Sequence, residues 1–180
     1  MEPGWRDRAR PLQDRGSRTA GTNDPPGKIC QIAEVVRDLE EAAQRYWKTM
    51  GFGPWYFWDF EPPDLHDVYY RGAKVESSAF RLALAQVGPV QYELMQPLYG
   101  PGIHRDFLDQ KGPGVHHIKI YCPDIPKALE DFASKGILPL QQGKYDDDWH
   151  VYLDTEEKYG IVWELGNQGK IRPPKKRYPA

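Results

Sequence analysis

Residues 31–47, QIAEVVRDLEEAAQRYW, and residues 117–133, HIKIYCPDIPKALEDFA, are two copies of one pattern set 86 positions apart. The identical pairs include Ile32 and Ile118, Asp38 and Asp124, and Ala42 and Ala128. Each copy begins as a strand, turns at the aspartate, and continues with apolar residues at helical spacing. The pattern therefore predicts a duplicated strand–turn–helix unit.

The duplication extends to a later strand in each copy. VQYEL at residues 90–94 lies over IVWEL at residues 161–165, so Glu93 corresponds to Glu164. These two strands are 71 positions apart, whereas the first strands are 86 positions apart, so the first copy contains 15 extra residues. We predict that this insertion lies within residues 59–77, which have the composition of a loop. Two more strands are predicted before the last one in each copy: WYFWDF and AFRLALAQ in the first, LPLQQG and HVYLDT in the second. The predicted fold class is α+β, with two β-α-β-β-β modules, residues 28–96 and 113–167.

Composition and charge exclude several classes of protein. Hydrophobic residues at 39% and charged residues at 28% are ordinary for a globular chain, and no apolar run reaches the ~20 residues of a membrane-spanning helix. A formal net charge of -2 does not suit nucleic-acid binding. Two cysteines cannot build a disulfide framework, and no secretion signal is visible, so we expect a cytoplasmic location.

Both ends of the chain lie outside the predicted domain of residues 28–167. Residues 1–27 are rich in Arg, Asp, Gly and Pro without apolar periodicity, so we expect a disordered arm. Residues 168–180 are a basic tail interrupted by prolines, which we expect to be solvated.

The duplication selects four candidate metal ligands, because Gln31 corresponds to His117 and Glu93 to Glu164. Amide, carboxylate and imidazole groups all ligate divalent metals, and two carboxylates neutralise the charge of the ion. Neighbours on a strand point to opposite faces, so His116 is predicted to face the helices while His117 joins the site. We expect the two modules to set these four ligands around the axis that relates them.

The motifs together resemble the vicinal oxygen chelate superfamily of glyoxalases, bleomycin-resistance proteins and extradiol dioxygenases. The motifs are the paired modules with QIAEVVRDLEEA, QYELMQPL, GVHHIKIYCPDI and GIVWELG. The resemblance implies a cupped half-barrel sheet around one cleft, with a metal on its floor. The ligand order is similar to that of zinc-type glyoxalase I, while ELMQPL and GPGVHHI are similar to methylmalonyl-CoA epimerase. The implied cofactor is a divalent metal: zinc, cobalt, nickel or manganese ahead of iron.

The activity implied is that of a metal-dependent isomerase or epimerase, which moves a proton next to a carbonyl of a bulky or CoA-linked small molecule. In the glyoxalase pattern the metal-bound glutamates transfer the proton, which makes Glu164 and Glu93 the candidate catalytic residues. Alternatively, both are ligands only and another residue is the base. A glyoxalase-type lyase on a non-glutathione substrate, a ring-cleaving dioxygenase and a non-enzymatic binding protein stay open. We expect a homodimer without nucleic-acid or membrane partners.

Five further residues are candidates for contact with a substrate: Arg81, Lys119, Tyr121, Trp58 and Tyr152. Period-2 alternation places Lys119 and Tyr121 on the face of His117. Arg81 is predicted to face the cleft and offer its guanidinium to a carboxylate or phosphate; alternatively, Arg81 and Lys119 only pair with neighbouring acids. Trp58 belongs to an aromatic run predicted to form an apolar wall, and Lys119 and Tyr152 are the alternative bases.

Two other features carry expectations. His66 and His104 lie in stretches with Pro and Gly and are predicted to be exposed to solvent. His150 either borders the cleft or, as is more common for a histidine on a strand, has only a structural role. The insertion at residues 59–77 is rich in aromatic residues, and we expect it to cover one side of the cleft.

Overall fold

The computed structural model describes residues 26–167 and 169–180. The predicted disordered arm, residues 1–27, lies outside the described residues except for its last two. In chain order the first elements are β1 (Lys28–Val35), α1 (Leu39–Met50), β2 (Trp55–Phe60), β3 (Leu65–Tyr70), β4 (Ala73–Lys74), β5 (Ala79–Val87) and β6 (Val90–Tyr99). The chain continues with α2 (Ile103–Lys111), β7 (Gly114–Tyr121), α3 (Ile125–Ala133), β8 (Pro139–Tyr145), β9 (Asp148–Leu153), α4 (Glu156–Tyr159), β10 (Val162–Gly166) and β11 (Lys176–Tyr178).

All the strands of the described residues belong to one sheet, in the order β11-β2-β5-β6-β1-β7-β10-β9-β8-β3-β4. The first strands of the two modules, β1 and β7, pair antiparallel at its centre, and each pairs in parallel with the last strand of its own module. The sheet curls so far that Phe60 on β2 stacks on Tyr145 on β8, with ring centroids 3.9 Å apart. The predicted α+β fold, a cupped half-barrel around one cleft, is confirmed.

The repeated aspartate begins the helix in each module. Asp38 accepts a hydrogen bond from the backbone N–H of Glu41 at 2.8 Å and caps α1. Asp124 accepts one from the backbone N–H of Lys127 at 3.1 Å and caps α3. The first N–H groups of a helix have no partner within it, and a carboxylate at this position satisfies one of them. The duplicated aspartate is therefore a duplicated helix cap.

Helices α1 and α3 lie on the outer face of the curled sheet, away from the cleft. Leu39 and Ala42 of α1 pack with Ala83 and Leu94 of the sheet, and Ile125 of α3 belongs to a corresponding cluster in the second module. Small residues at these contacts let a helix approach the sheet closely. No helix in the described ranges is long and apolar enough to cross a membrane.

The insertion in the first module does not cover the cleft as predicted. It forms the β3–β4 hairpin, and β3 pairs antiparallel with β8 of the second module. Leu65 and Val68 point into the apolar cluster that contains Tyr145. Of residues 59–77, all of which the structure describes, only Phe60 lines the main cavity. The unpaired edge of β8 offers backbone hydrogen-bonding groups, so the inserted chain extends the sheet instead of forming a lid.

The basic tail forms structure although residues 169–180 are exposed or only partly buried, as expected of a solvated end. Lys176–Tyr178 is strand β11, which pairs with β2 of the first module. Arg172 forms an ion pair with Asp146 at 2.6 Å and another with Asp64. The tail thus connects the second module to the edge of the first, because that edge supplies unpaired backbone groups that charge and proline content do not reveal.

Candidate metal centre and cavity

The four residues selected by the duplication lie on four neighbouring strands at the centre of the sheet: Glu93 on β6, Gln31 on β1, His117 on β7 and Glu164 on β10. None of them exposes more than 5% of its surface. Nε2 of His117 lies 3.0 Å from Oε2 of Glu164 and 3.3 Å from Oε2 of Glu93. The central strands therefore bring the predicted group together.

Two atoms in this group make no well-directed hydrogen bond. Among residues 26–167 and 169–180, Oε1 of Gln31 and Nε2 of His117 are buried without a well-directed hydrogen bond. Gln31 instead donates from Nε2 to Oε1 of Gln91 at 2.7 Å, which leaves its own oxygen to the site. A buried polar atom without a partner costs roughly 1–3 kcal/mol. An amide oxygen, an imidazole nitrogen and two carboxylates fit a divalent cation, and these are the residues that could hold it.

A β-bulge precedes the first-strand ligand in both modules. In the pairing of β1 with β7, Cys30 before Gln31 is an extra residue on β1 without a partner in the register, and His116 before His117 is one on β7. Cys30 and His116 are 86 positions apart, so they are equivalent in the duplication. An extra residue bends its strand and redirects the neighbouring side chains. The bulge is thus a repeated feature of the floor.

The bulge also changes the prediction made for the two neighbouring histidines. The ring of His116 packs on Phe107 of α2, a helix that the sequence did not predict, and not against the module helices α1 and α3, which the prediction had meant. Its Nδ1 lies 2.9 Å from Nδ1 of His117, so the expected separation onto opposite faces is wrong. Strict alternation assumes a regular pleat, and the extra residue interrupts that pleat.

Lys119 is joined to the group through Glu164. Its Nζ lies 2.9 Å from Oε1 of Glu164 and 3.7 Å from Oδ1 of Asp148. Gly166 on β10 makes room for the lysine, since a Cβ there would lie 2.0 Å from Cε of Lys119. The sequence did not select Asp148, because only the pairing of β9 with β10 brings it to the lysine.

Burial and charge pairing set the protonation states of the floor. Burial lowers the pKa of His117, but the carboxylates of Glu164 and Glu93 outweigh it and raise the pKa to about 9. Burial raises the pKa of Glu164, but Lys119 and His117 outweigh it and lower that pKa. Burial likewise lowers the pKa of Lys119, and Asp148 with the two glutamates raises it overall. The metal-free floor at neutral pH therefore pairs a carboxylate with an ammonium and an imidazolium.

Gln31, Glu93 and Glu164 line the floor of a cavity of about 330 Å³, and His117 lies fully buried beside Glu93 and Glu164. The first module supplies an apolar wall, whose residues are Phe60, Phe80, Leu82, Leu84 and Met95. The second module supplies a polar wall, whose residues are Lys119, Tyr121, Asp148, His150 and Tyr152. Lys119, Tyr121 and Tyr152 thus line the cavity together, and so does His150. A bound molecule would meet one apolar side and one polar side.

Arg81 lies outside the cavity, so its predicted place in the cleft is wrong. Its Nη2 lies 2.7 Å from Oε1 of Glu40 and its Nε 2.9 Å from Oδ1 of Asp59, on the outer face of the sheet. Ala83 and Ala85 share that face and pack beneath α1. The small residues of β5 serve the helix contact, and the large ones between them line the cavity. Arg81 therefore pairs only with neighbouring acids, as in the alternative prediction for this residue.

Trp58 faces inward but lies beneath the wall, in the apolar cluster that also contains Phe60 and Leu82. Its Nε1–H donates to the backbone oxygen of Arg172 at 2.9 Å, which holds the tail. Its predicted role in substrate contact is therefore replaced by a structural one.

Sequence reasoning missed the helix α2 and the histidine on it. His104 was predicted to be exposed but is buried, with its ring centroid 5.1 Å from that of His116 and 5.7 Å from that of His117. His66, in contrast, is exposed as predicted. The available signal was the four-residue spacing of Ile103 and Phe107, which is typical of one helix face.

Comparisons with known sequences agree with this geometry. The family described as Glyoxalase/Bleomycin resistance protein/Dioxygenase superfamily matches residues 30–153. An uncharacterized protein of Bacillus subtilis (strain 168), YqjC, is 27% identical over 95 residues, which are 51% of this chain and 67% of that protein.

Several solved structures of methylmalonyl-CoA epimerase share the fold. The enzyme from Mycobacterium tuberculosis has a TM-score of 0.57 at 19% identity, over 79% of this chain and 88% of that chain. The enzyme from Streptomyces coelicolor in complex with 2-nitronate-propionyl-CoA has a TM-score of 0.57 at 21% identity, over 78% of this chain and 96% of that chain. A complex of the epimerase with methylmalonyl-CoA and NH4+ has a TM-score of 0.58 at 20% identity, over 82% of this chain and 99% of that chain. At these identities the likeness is one of fold.

Proposed function

Because the chain belongs to the glyoxalase, bleomycin resistance protein and dioxygenase superfamily, we propose that it is a metal-dependent isomerase or epimerase. The proposed reaction moves a proton at the carbon next to the carbonyl of a bulky or CoA-linked small molecule. The shared fold with methylmalonyl-CoA epimerases supports this reaction class. The homodimer, the cytoplasmic location and the lack of nucleic-acid partners stay predictions.

The observation that carries the proposal is the group of Gln31, Glu93, His117 and Glu164 on the cavity floor. Two of its ligand-type atoms, Oε1 of Gln31 and Nε2 of His117, have no well-directed hydrogen bond within the part of the chain that the structure describes. These four residues would hold the ion. A divalent metal polarises a carbonyl oxygen and lowers the cost of removing the proton beside it.

The two glutamates suit proton transfer on two sides of a substrate, since Glu93 belongs to the first module and Glu164 to the second. Burial raises the pKa of Glu164, yet Lys119 and His117 lower it overall, so this carboxylate is ionised at neutral pH and able to accept a proton. The ammonium of Lys119, 2.9 Å from Glu164, also lines the cavity, where it would stabilise negative charge on a substrate oxygen beside it.

The two alternative bases fit less well. The carboxylates around Lys119 outweigh its burial and raise its pKa, so it stays protonated. Burial, with the charges of Glu164 and Glu93, raises the pKa of Tyr152 well above the ordinary tyrosine value. A base must be unprotonated at working pH, which favours the glutamates.

The cavity indicates the class of substrate. Its volume of about 330 Å³ is at the small end of ligand sites and fits an acyl group of moderate size. The apolar wall suits the acyl chain, while the remainder of a CoA ester would lie outside the cavity. CoA thioesters and bulky ketones are therefore the first substrates to screen. A ring-cleaving dioxygenase fits less well, because Glu93, His117 and Glu164 offer only one imidazole among them.

The test combines metal content with hydrogen exchange. Elemental analysis of the purified protein is expected to give one zinc, cobalt, nickel or manganese ion per chain. In D2O the loaded protein is expected to exchange the hydrogen next to the carbonyl of an acyl-CoA. Glu164→Gln keeps an oxygen ligand but removes the base, so it should retain metal better than Glu164→Ala and lose roughly 10²–10⁴ in exchange rate.

Each alternative has a distinct outcome. Full exchange in metal-loaded Glu164→Gln would show that Glu164 is a ligand only. Protein without stoichiometric metal that still binds small molecules would indicate a binding protein. Bound iron would support the dioxygenase, and conversion of a thiol adduct without exchange of acyl-CoA hydrogens would support the lyase.

A further inference from the structure

We propose that His116 is a positioning residue of the metal centre: in the metal-loaded protein its Nδ1 accepts a hydrogen bond from the Nδ1–H of His117, which leaves Nε2 of His117 unprotonated and available to the ion beside Glu93 and Glu164. This inference rests on the proposed metal centre and concerns a residue outside the four ligands.

The bulge in β7 brings the two rings together. Nδ1 of His116 lies 2.9 Å from Nδ1 of His117, and both side chains are buried. That separation is the length of a nitrogen–nitrogen hydrogen bond. One of the two atoms must donate and the other must accept.

The other nitrogen of His117 decides the direction of this hydrogen bond. Nε2 lies 3.0 Å from Glu164 and 3.3 Å from Glu93, so it is the nitrogen that reaches the ligand group. A neutral imidazole carries one N–H, and a metal-binding nitrogen carries none. The proton of His117 in the metal centre is therefore on Nδ1, and His116 is the acceptor.

The surroundings of His116 suit a neutral acceptor. Its ring packs against those of His104 at 5.1 Å and Phe107 at 4.9 Å between centroids, where water does not reach to solvate a charge. The usual partners of a metal-bound histidine are a carboxylate, a backbone carbonyl or water. A neutral ring fixes the orientation of His117 without adding a third negative charge to a floor where two glutamates already match a divalent ion.

The first module orients its ligand by a different contact. Gln31 is held by the hydrogen bond from its Nε2 to Gln91 at 2.7 Å. Cys30, the counterpart of His116, instead contacts the backbone oxygen of Lys119 at 3.6 Å. The residue at the bulge contacts the candidate ligand in the second module only. The hydrogen bond of His116 is therefore specific to that module and does not follow from the bulge alone.

Two substitutions at this position separate hydrogen bonding from packing. His116→Leu fills similar space without an acceptor, whereas His116→Asn keeps an acceptor oxygen near the place of Nδ1. Zinc affinity of the full chain, measured by chelator competition, is expected to fall about 10–100-fold in His116→Leu. It is expected to be largely retained in His116→Asn, and Co²⁺ absorption spectra should report wild-type coordination only for the asparagine variant.

His104→Leu is the matched control. His104 contacts both rings, but its Nε2 makes no hydrogen bond in the described structure. Removing it disturbs the same packing without touching the proposed bond, so zinc affinity should stay near that of the wild type. Thermal unfolding of the metal-free variants checks that each one folds.

The wild-type protein provides a test that needs no variant. In the zinc-loaded form, ¹H–¹⁵N spectra of the imidazole nitrogens should show a slowly exchanging proton on Nδ1 of His117 and an unprotonated Nδ1 on His116. The reverse pattern would overturn the inference.

The remaining outcomes are also decisive. Unchanged zinc affinity in His116→Leu, or an equal loss in His104→Leu, would show that His116 does not position His117. Two zinc ions per wild-type chain, one of them lost in His116→Leu, would make it a ligand of a second ion with His104 and His117, whose ligand nitrogens lie within 4.8 Å of one another. Wild-type protein that binds no divalent cation would overturn the metal centre itself and this inference with it.

Discussion

The two modules contribute alike to the floor of the cavity and differently to its walls. Each gives one ligand-type residue from its first strand and one glutamate from its last strand. The wall of the first module is built from large apolar side chains such as Phe80 and Leu84, whereas that of the second includes Lys119, Asp148 and Tyr152. The backbone of the sheet is duplicated, but the chemistry of the walls is not.

This difference separates two tasks within one cavity. A metal centre of the proposed kind needs ligands at fixed mutual positions, and two equivalent strand pairs hold the candidate ligands. The walls need to tell one end of a substrate from the other, which a symmetric cavity would not do. We expect an apolar group to lie toward the first module and the oxygen atoms of the substrate to lie toward Lys119.

The largest expected effect is loss of the metal in His117→Ala. His117 is the one imidazole among Glu93, His117 and Glu164, so removing it should reduce affinity by more than the roughly 100-fold expected for a residue that only orients a ligand. Gln31→Ala removes a neutral amide oxygen, a weaker donor, and should lose less. Elemental analysis after dialysis measures both, with the exposed His66→Ala as the control. Equal loss in the Gln31 and His117 variants would mean that the first-strand ligands are interchangeable.

A second prediction concerns the ion pair that the first module lacks. Lys119→Met removes one of the two cations beside the buried carboxylate of Glu164 and leaves only His117, and breaking a buried pair costs about 3–5 kcal/mol. Denaturant unfolding of the metal-free protein should show this loss, and bound metal should reduce it by neutralising Glu164. Lys144→Met is the control, because Lys144 pairs with Asp67 at the surface at 3.1 Å. Equal destabilisation by the two substitutions would contradict the proposed role of burial.

The candidate ligands on the two first strands also respond differently to pH, because His117 can bind a proton and Gln31 cannot. The pKa of His117 in the metal-free protein is about 9, above its ordinary value of 6.5. Its contribution to metal-free stability is therefore complete below about pH 6.5 and is lost as pH rises through 9. Metal binding changes in the opposite direction, because the ion displaces this proton: affinity should rise about 10-fold per pH unit below pH 9. Calorimetry in buffers of different ionisation enthalpy would count the released proton, and a count of zero at pH 7 would exclude a protonated His117.

Gly166→Ala tests whether the polar wall depends on close packing. The new methyl group would lie 2.0 Å from Cε of Lys119 and displace it from Glu164. Overpacking of this kind costs about 1–3 kcal/mol, and we also expect slower proton exchange. Gly114→Ala is the control, since its nearest neighbour would be Cζ of Phe107 at 3.9 Å. Unchanged stability in both variants would show that Lys119 has room to move.

The smallest effect is expected for Arg81→Ala. Its ion pairs with Glu40 and Asp59 lie on the outer face and are partly exposed, so we expect a loss of about 1 kcal/mol or less. Because this arginine does not reach the cavity, KM and kcat should stay at wild-type values while Tyr121→Phe changes KM. A clear rise in KM for Arg81→Ala would place it in contact with substrate after all.

The errors of sequence reasoning have identifiable physical causes. On β5, two alternating sets of residues were distinguishable, but the sequence did not show which set faces the cavity. Pairing of Leu84 with Glu93 and of Leu82 with Met95 decided this, because directly paired residues share a face. At β7 the alternation was read correctly and still failed for His116, since a bulge leaves no reliable mark in the sequence.

The duplicated modules, the turn at each repeated aspartate and the choice of four candidate ligands were predictable from the amino-acid sequence. These follow from local periodicity and from the equivalence of two copies, which constrain residues without any knowledge of distant contacts. Only the tertiary structure decided the contact of His116 with His117, the burial of His104, and the attachment of the insertion and the tail to distant strand edges. The histidine contact depends on strand register, the burial of His104 depends on the docking of α2 against β1, β6 and β7, and the two attachments depend on free strand edges far along the chain. These contacts form only when the whole sheet curls and closes on itself.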